Sequence, residues 1–191
     1  MTRGRSMRLA AAALALAAGA CGKNLTFTAP EDPLAPLFEV ESQSTAFFPY
    51  WAGFYVDGGG HVYRWNRTDA LDPAFHADVL TPEQLAAKYQ PGKTLVQTLT
   101  PAEVLQRYGL VGPAASSGLA RRQHSCADAG IQTFSAWVLQ GDGNYRRILL
   151  HQRGDEATAR RNDAARTLWT WLGEITGQGA PSEFCDPYWK D

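Results

Sequence analysis

The chain has 191 residues, 45% of them apolar and 11% aromatic, enough to pack one domain and too rich in large side chains for general disorder. Its 18 Lys and Arg nearly balance 19 Asp and Glu, and a net charge of −1 gives no long-range field to attract a polyanion, so nucleic acid is excluded as an expected partner. Four histidines, His61, His76, His124 and His151, fall in separate segments without metal-ligand spacing, so neither a metal nor a cofactor is expected.

At the N-terminus, Arg3, Arg5 and Arg8 precede an unbroken apolar run from Leu9 to Ala18 that ends in small residues, the layout of a signal peptide. The run is about half the roughly 20 residues needed to cross a bilayer, so it does not anchor the chain by itself. Gly4 separates Arg3 from Arg5, which removes a twin-arginine pair and leaves the general secretory route. Ala18-Gly19-Ala20-Cys21 resembles the lipobox of bacterial lipoproteins, with Ala18 where that pattern usually has leucine. The resemblance implies cleavage after residue 20, acylation of Cys21, and a membrane as partner through that lipid. Two or more acyl chains hold a protein stably where one does not. Gly22 resembles the neighbour found in lipoproteins not retained at the inner membrane, which implies an envelope location at the outer membrane, facing the periplasm or the surface. Two alternatives stay open: ordinary cleavage at Ala18 to Ala20 leaving Cys21 a thiol, and initiation at Met7.

Residues 21–36 mix small, polar and proline residues without period and read as the lipidated terminus and a flexible tether. The domain is expected over 37–191. Phe38, Val40 and Ser42 alternate with Glu39 and Glu41, as in a strand with one face buried. A dense aromatic run, Phe47 to Tyr55, cannot point wholly into one core, so Tyr50 and Trp51 are read as a contact surface for an envelope protein or glycan. Core packing and hairpin support are the commoner use of such rings, and that alternative stands beside it.

Phe54-Tyr55-Val56 and His61 to Trp65 flank Asp57-Gly58-Gly59-Gly60, a hairpin signal. The glycines do not make a phosphate loop, because a strand rather than a helix follows them. Leu80-Thr81-Pro82 to Tyr89 and Leu99-Thr100-Pro101 to Tyr108 echo one another. Each predicts a short helix with a threonine cap, proline in its first turn and Gln84 or Glu103 at the reciprocal capping position. A short strand is expected at Thr94 to Thr98, and a mobile surface loop from Gly112 to Ser125. Thr133 to Gln140 and Tyr145 to Gln152 predict a second hairpin around Gly141-Asp142-Gly143-Asn144. Ala164, Leu168, Trp171, Leu172 and Ile175 recur at helical spacing, with Gly177 and Gly179 as stops.

With Cys21 used for lipid, Cys126 and Cys185 remain as one pair in an exported chain, and a disulfide is expected between them. The competing use, a reactive Cys126 beside His124, has no supporting pattern. Scattered arginine pairs at 121–122, 146–147 and 160–161 read as solvated faces. Hairpins plus separate helical blocks predict an α+β domain, an antiparallel sheet built from hairpins with helices packed on one face. No catalytic residues are assigned. The expected role is a non-catalytic binding or structural domain anchored in the envelope, with an envelope hydrolase assembled from dispersed residues as the alternative. The anchor is checked by the intact mass of membrane-extracted protein: the wild type carries three acyl chains on residue 21 and no free thiols, whereas Cys21→Ser is unacylated and leaves the membrane fraction.

Overall fold

A computed structural model describes residues 25–44, 50–67, 73–122 and 130–178. Cys21, Cys126 and Cys185, and with them the expected lipidation site and disulfide, lie outside the described residues. The fold is α+β, as the hairpins and helical blocks predict. Strands β1 (Pro36–Ser44), β2 (Tyr50–Asp57) and β3 (His61–Arg67) lead to a 3-10 turn at Pro73–Phe75 and β4 (Val79–Leu80). Helix α1 (Pro82–Tyr89), β5 (Thr94–Thr98), helices α2 (Pro101–Tyr108) and α3 (Val111–Ala115), and β6 (Leu119–Arg122) follow. The chain then runs through β7 (Ile131–Leu139), β8 (Tyr145–Gly154), β9 (Ala157–Arg160) and α4 (Asp163–Thr176).

These strands form one nine-stranded sheet in the order β5-β3-β2-β1-β7-β8-β9-β6, and β4 pairs with the start of β8. Every pairing is antiparallel. Both predicted hairpins are present. In the first, the Asp57 carboxylate accepts from the His61 backbone N–H at 2.9 Å. Gly60 takes φ +91°, and a Cβ there would lie 2.3 Å from the Leu99 carbonyl oxygen, so both conformation and space require glycine.

The helices follow their predicted caps with one difference. Thr81 and Gln84 form the reciprocal box at α1, with Gln84 N–H donating to Thr81 and Thr81 N–H donating to the Gln84 amide oxygen. At α2, Thr100 accepts from Glu103 N–H, but the Glu103 carboxylate accepts from Trp171 Nε1 at 3.2 Å and so ties α2 to α4. Asn162 caps α4 through Ala165 N–H, and Gly177 ends it in the left-handed region at φ +65°.

Sheet alternation sorts the core into two layers. Phe38 and Val40 of β1, Val56, Val62, Phe134 and Leu150 point to the face covered by α2, α3 and α4. Phe38 meets Trp171 edge-on, with ring centroids 5.2 Å apart. The opposite face carries Trp51, Tyr55, Trp65 and Trp137 and is covered by Leu85 and Tyr89 of α1. β1 is therefore buried on both sides, and Glu39 and Glu41, expected at a solvent face, lie inside.

Three further expectations are corrected. Residues 25–36 do not form a free tether: Phe27 and Ala29 pack against the first core layer, Ala35 is buried, and the Gly58 and Gly59 N–H groups donate to the carbonyls of Ala35 and Pro33. The segment from Gly112 is not a loop throughout, because its small residues let α3 pack closely, with Val111, Gly112 and Ala114 buried. The arginine pairs are also not all solvated: Arg160 donates to the carbonyls of Leu149, Ala115 and Ser117, joining the end of α3 to β8. Strand β9, which has little hydrophobic period of its own, was not expected.

A Cβ on Gly112 would stand 1.6 Å from the carbonyl oxygen of Leu25, which only a backbone shift can relieve. Gly112→Ala is expected to destabilise the protein by about 1–3 kcal/mol, read by urea denaturation. A neutral result would mean that residues 25–26 are not packed on α3.

Candidate functional site

The face of β1 toward α1 would ordinarily be apolar, yet it presents Glu39 and Glu41. Their cross-strand neighbours on that face are Tyr55 and Gly53 on β2, and Ser135 and Thr133 on β7. Lys88, one turn beyond Leu85 on the inner side of α1, meets both acids: its Nζ lies 2.5 Å from Glu41 Oε2 and 2.6 Å from Glu39 Oε1. Exposure is 0% for Lys88 and Glu39 and 2% for Glu41. The ammonium lies 5.5 to 5.8 Å from the ring centroids of Trp51, Trp65, Tyr89 and Trp137, an aromatic enclosure that places a cation near π faces.

The enclosure is itself held in place. Trp137 Nε1 donates to the Tyr89 hydroxyl at 2.9 Å, and Trp51 and Trp65 meet edge-on at 5.5 Å. Arg67 donates to the Ala87 and Lys88 carbonyls at the end of α1 and lies over the rings of Phe75 and Trp51. Gly53, opposite Glu41, leaves room for Trp65, whose ring would be 3.0 Å from a Cβ there. On the outer side His76 stacks on Trp51 at 4.5 Å, with Nδ1 3.7 Å from Glu41 Oε1.

The two carboxylates are not equivalent. Burial pushes Glu39 above the usual carboxylate range, with Lys88 opposing and the charge of Glu41 adding to the rise. Burial acts in the same direction on Glu41, but the charge and hydrogen bond of Lys88, with Arg147 and His76, outweigh it and hold Glu41 low. Burial and Lys88 thus drive the two acids apart, Glu39 toward its neutral form and Glu41 toward its carboxylate. Lys88 Nζ makes a hydrogen bond to Glu41 and an ion-pair contact with Glu39, whose other polar neighbour is the Tyr89 hydroxyl. Ser135 Oγ and Thr133 Oγ1, beside the acids, are buried without a hydrogen bond.

Beside α1 the surface opens into a cleft of about 240 Å³, lined by Asp32, Leu34, Tyr55, Gln90, Lys93 and Tyr145 among others. Tyr55 is sandwiched between Tyr63 and Tyr89, at 4.9 and 4.4 Å, and the Lys93 ammonium lies 4.5 Å from the Tyr63 centroid. The cleft thus presents tyrosine edges, one cation and one anion. Burial raises the Tyr145 phenol, with the charge of Asp32 adding to it.

The sequence-predicted contact pair is split. Tyr50, 43% exposed at the start of β2, remains on the surface; Trp51 is fully buried against Trp65 and His76 and cannot be part of a contact surface. Among the described residues no three His, Cys, Asp or Glu side chains are placed to hold a metal ion. Sequence reasoning passed over Lys88, Glu39 and Glu41. The signal available was two acids at alternate positions of a strand and a lysine in helical register with Leu85. Comparison of the chain with protein-family models, with curated proteins and with solved structures returned no match.

Removing Lys88 would leave two buried acids without their cation. Lys88→Met is expected to cost about 3–5 kcal/mol in denaturant unfolding, and a loss below 1 kcal/mol would contradict the ion cluster. A second titrating group lies under α4, where His151 stacks on Trp169 at 4.9 Å and burial, with Arg153 adding, lowers its pKa to about 4. Between about 6.5 and 4 the unfolded chain binds the proton and the folded chain does not. The stability that His151 contributes is therefore complete above pH 6.5 and is lost as pH falls toward 4. His151→Phe should flatten this part of the stability profile, measured by denaturant midpoints across that range.

Proposed function

We propose that the chain is a lipid-anchored module of the bacterial cell envelope that works by binding, and that its ligand is a saccharide held in the tyrosine cleft. The observation that carries this reading is the cleft itself, where Tyr55, Tyr145, Gln90, Lys93 and Asp32 offer hydrogen-bonding groups around a space of about 240 Å³. Hydroxyl-rich rings suit such a surface, because tyrosine supplies apolar area and a polar tip while the flanking charges and amide orient hydroxyl groups. The ion cluster favours binding over turnover: Lys88 and Glu39 are sealed from solvent and Glu41 nearly so, which leaves a substrate no approach to them. Tyr50, exposed at the opening of β2, is a secondary contact for a neighbouring envelope protein. Anchoring rests on the lipobox-like residues Ala18 to Cys21.

Binding is tested by calorimetry and by amide chemical-shift mapping of the intact protein with envelope-derived oligosaccharides. Shifts should gather at Asp32, Gln90 and Lys93, and Lys93→Ala should weaken binding about tenfold, a loss of about 1.4 kcal/mol, while leaving the thermal midpoint unchanged. Saturable binding of a saccharide away from the cleft, or none, would overturn the reading.

A further inference from the structure

We infer that Lys88 and Glu39 are a self-modifying pair, which condenses into an amide joining α1 to β1, with Glu41 as the proton acceptor. Three features of the enclosure carry this, and none depends on the binding role of the cleft. The first is proximity. Lys88 Nζ lies 2.6 Å from Glu39 Oε1, so the nitrogen is already against the carboxyl group it would attack. Holding two reacting groups together in this way is equivalent to an effective concentration on the order of 10⁵–10⁸ M when their orientation is right.

The second feature is exclusion of water. In bulk water, condensation of an amine with a carboxylic acid is opposed by hydration of the two ions. Here the rings of Trp51, Trp65, Tyr89 and Trp137 surround the ammonium, and neither Lys88 nor Glu39 has any exposed surface. The ionised pair loses its hydration, and the water formed is released from an apolar interior to solvent.

The third is the different chemistry of the two acids. Glu39, which burial biases toward its neutral form, is the electrophile of the scheme, because a neutral carboxyl carbon accepts a nucleophile where a carboxylate resists it. Glu41, held ionised and hydrogen-bonded to Nζ at 2.5 Å, is placed to take a proton from the ammonium. The Tyr89 phenol, whose ionisation burial opposes, receives the Trp137 indole N–H and stands as the donor to the oxygen on which negative charge develops.

The step balances without an outside reagent. Lys88 passes one proton to Glu41, and the free electron pair on Nζ forms a bond to the Glu39 carboxyl carbon. The C–OH bond of that tetrahedral carbon then breaks. A second proton from Nζ joins the departing hydroxyl, so one water leaves. The products are a neutral amide, water and a protonated Glu41, which can release its proton outward past His76, 3.7 Å away. Nothing is oxidised or reduced. Arg67, on the Ala87 and Lys88 carbonyls, holds the end of α1 during the change.

The test is peptide mapping of reduced, denatured full-length protein purified from membranes. Trypsin should fail to cut after Lys88, and fragments 24–64 and 68–93 should appear as one species whose mass is their sum less one water. Tandem fragmentation should place the branch at Glu39. Separate, unmodified fragments ending at Lys88 and at Lys93 in the wild type would overturn the proposal. A branch at Glu41 would overturn the assignment of the two acids. Glu41→Gln, with folding verified by near-ultraviolet circular dichroism, should yield the unlinked fragments. If that variant does not fold, Tyr89→Phe is mapped during a time course after synthesis, and its link should form at least tenfold more slowly than in the wild type; an unchanged rate would remove Tyr89 from the scheme.

Discussion

A lysine placed between two acids and sealed from solvent is the constraint on which the rest of this structure depends. A charge taken out of water costs several kcal/mol even after the protein relaxes, and it is tolerated only when opposite charge and polarisable surface replace its hydration. Apart from the adjacent Tyr89, both are supplied by sequence positions far from Lys88. The acids come from the central strand β1, and the rings from β2, β3, α1 and β7. Helix α1 cannot shift along or rotate over the sheet without separating these charges, so an eight-residue helix acquires a fixed register that apolar contacts alone would specify less sharply.

The same constraint explains why the sheet is covered on both sides. An antiparallel sheet can leave one face to water, but a face bearing Glu39 and Glu41 beside four aromatic rings is neither a good solvent face nor an apolar core unless a cation closes it. With α1 in place it becomes a second core, chemically unlike the apolar layer beneath α4, which among the described residues buries no acid or lysine. Arg67 and His76, stacked at the outside of Trp51, form the boundary between this interior and solvent.

Most of the architecture was legible because it depends on local chemistry. Thr81, Thr100 and Gly177 define helix ends through backbone groups only a few residues away, and Asp57-Gly60 and Gly141-Asn144 define hairpins in the same way. The site was not legible because it depends on which strand lies next to which. Glu39 and Glu41 satisfy the alternating pattern of a strand with one wet face, and only the pairing of β1 with β7, together with α1 above it, shows that the second face is dry. Trp51 gave a misleading signal for a related reason. Adjacent strand residues point to opposite sides, so Tyr50 and Trp51 could not share a surface, although their place in one aromatic run suggested that they did. The small residues from Gly112 look like a loop in isolation and become a packed helix only because residues 25–26 and α4 lie against them.

The contact between Leu25 and Gly112 also sets a distance. With Leu25 packed on Gly112, the proposed anchor on Cys21 would be separated from the domain by four residue steps, a maximum reach of about 14 Å, rather than the roughly 50 Å of a sixteen-residue leash. If that anchor is present, a domain on so short a lead would stay at the lipid headgroups and present a restricted set of orientations to its surroundings. Its encounters would then be confined to a thin layer next to one membrane, and any ligand or partner would have to come to that layer to be met.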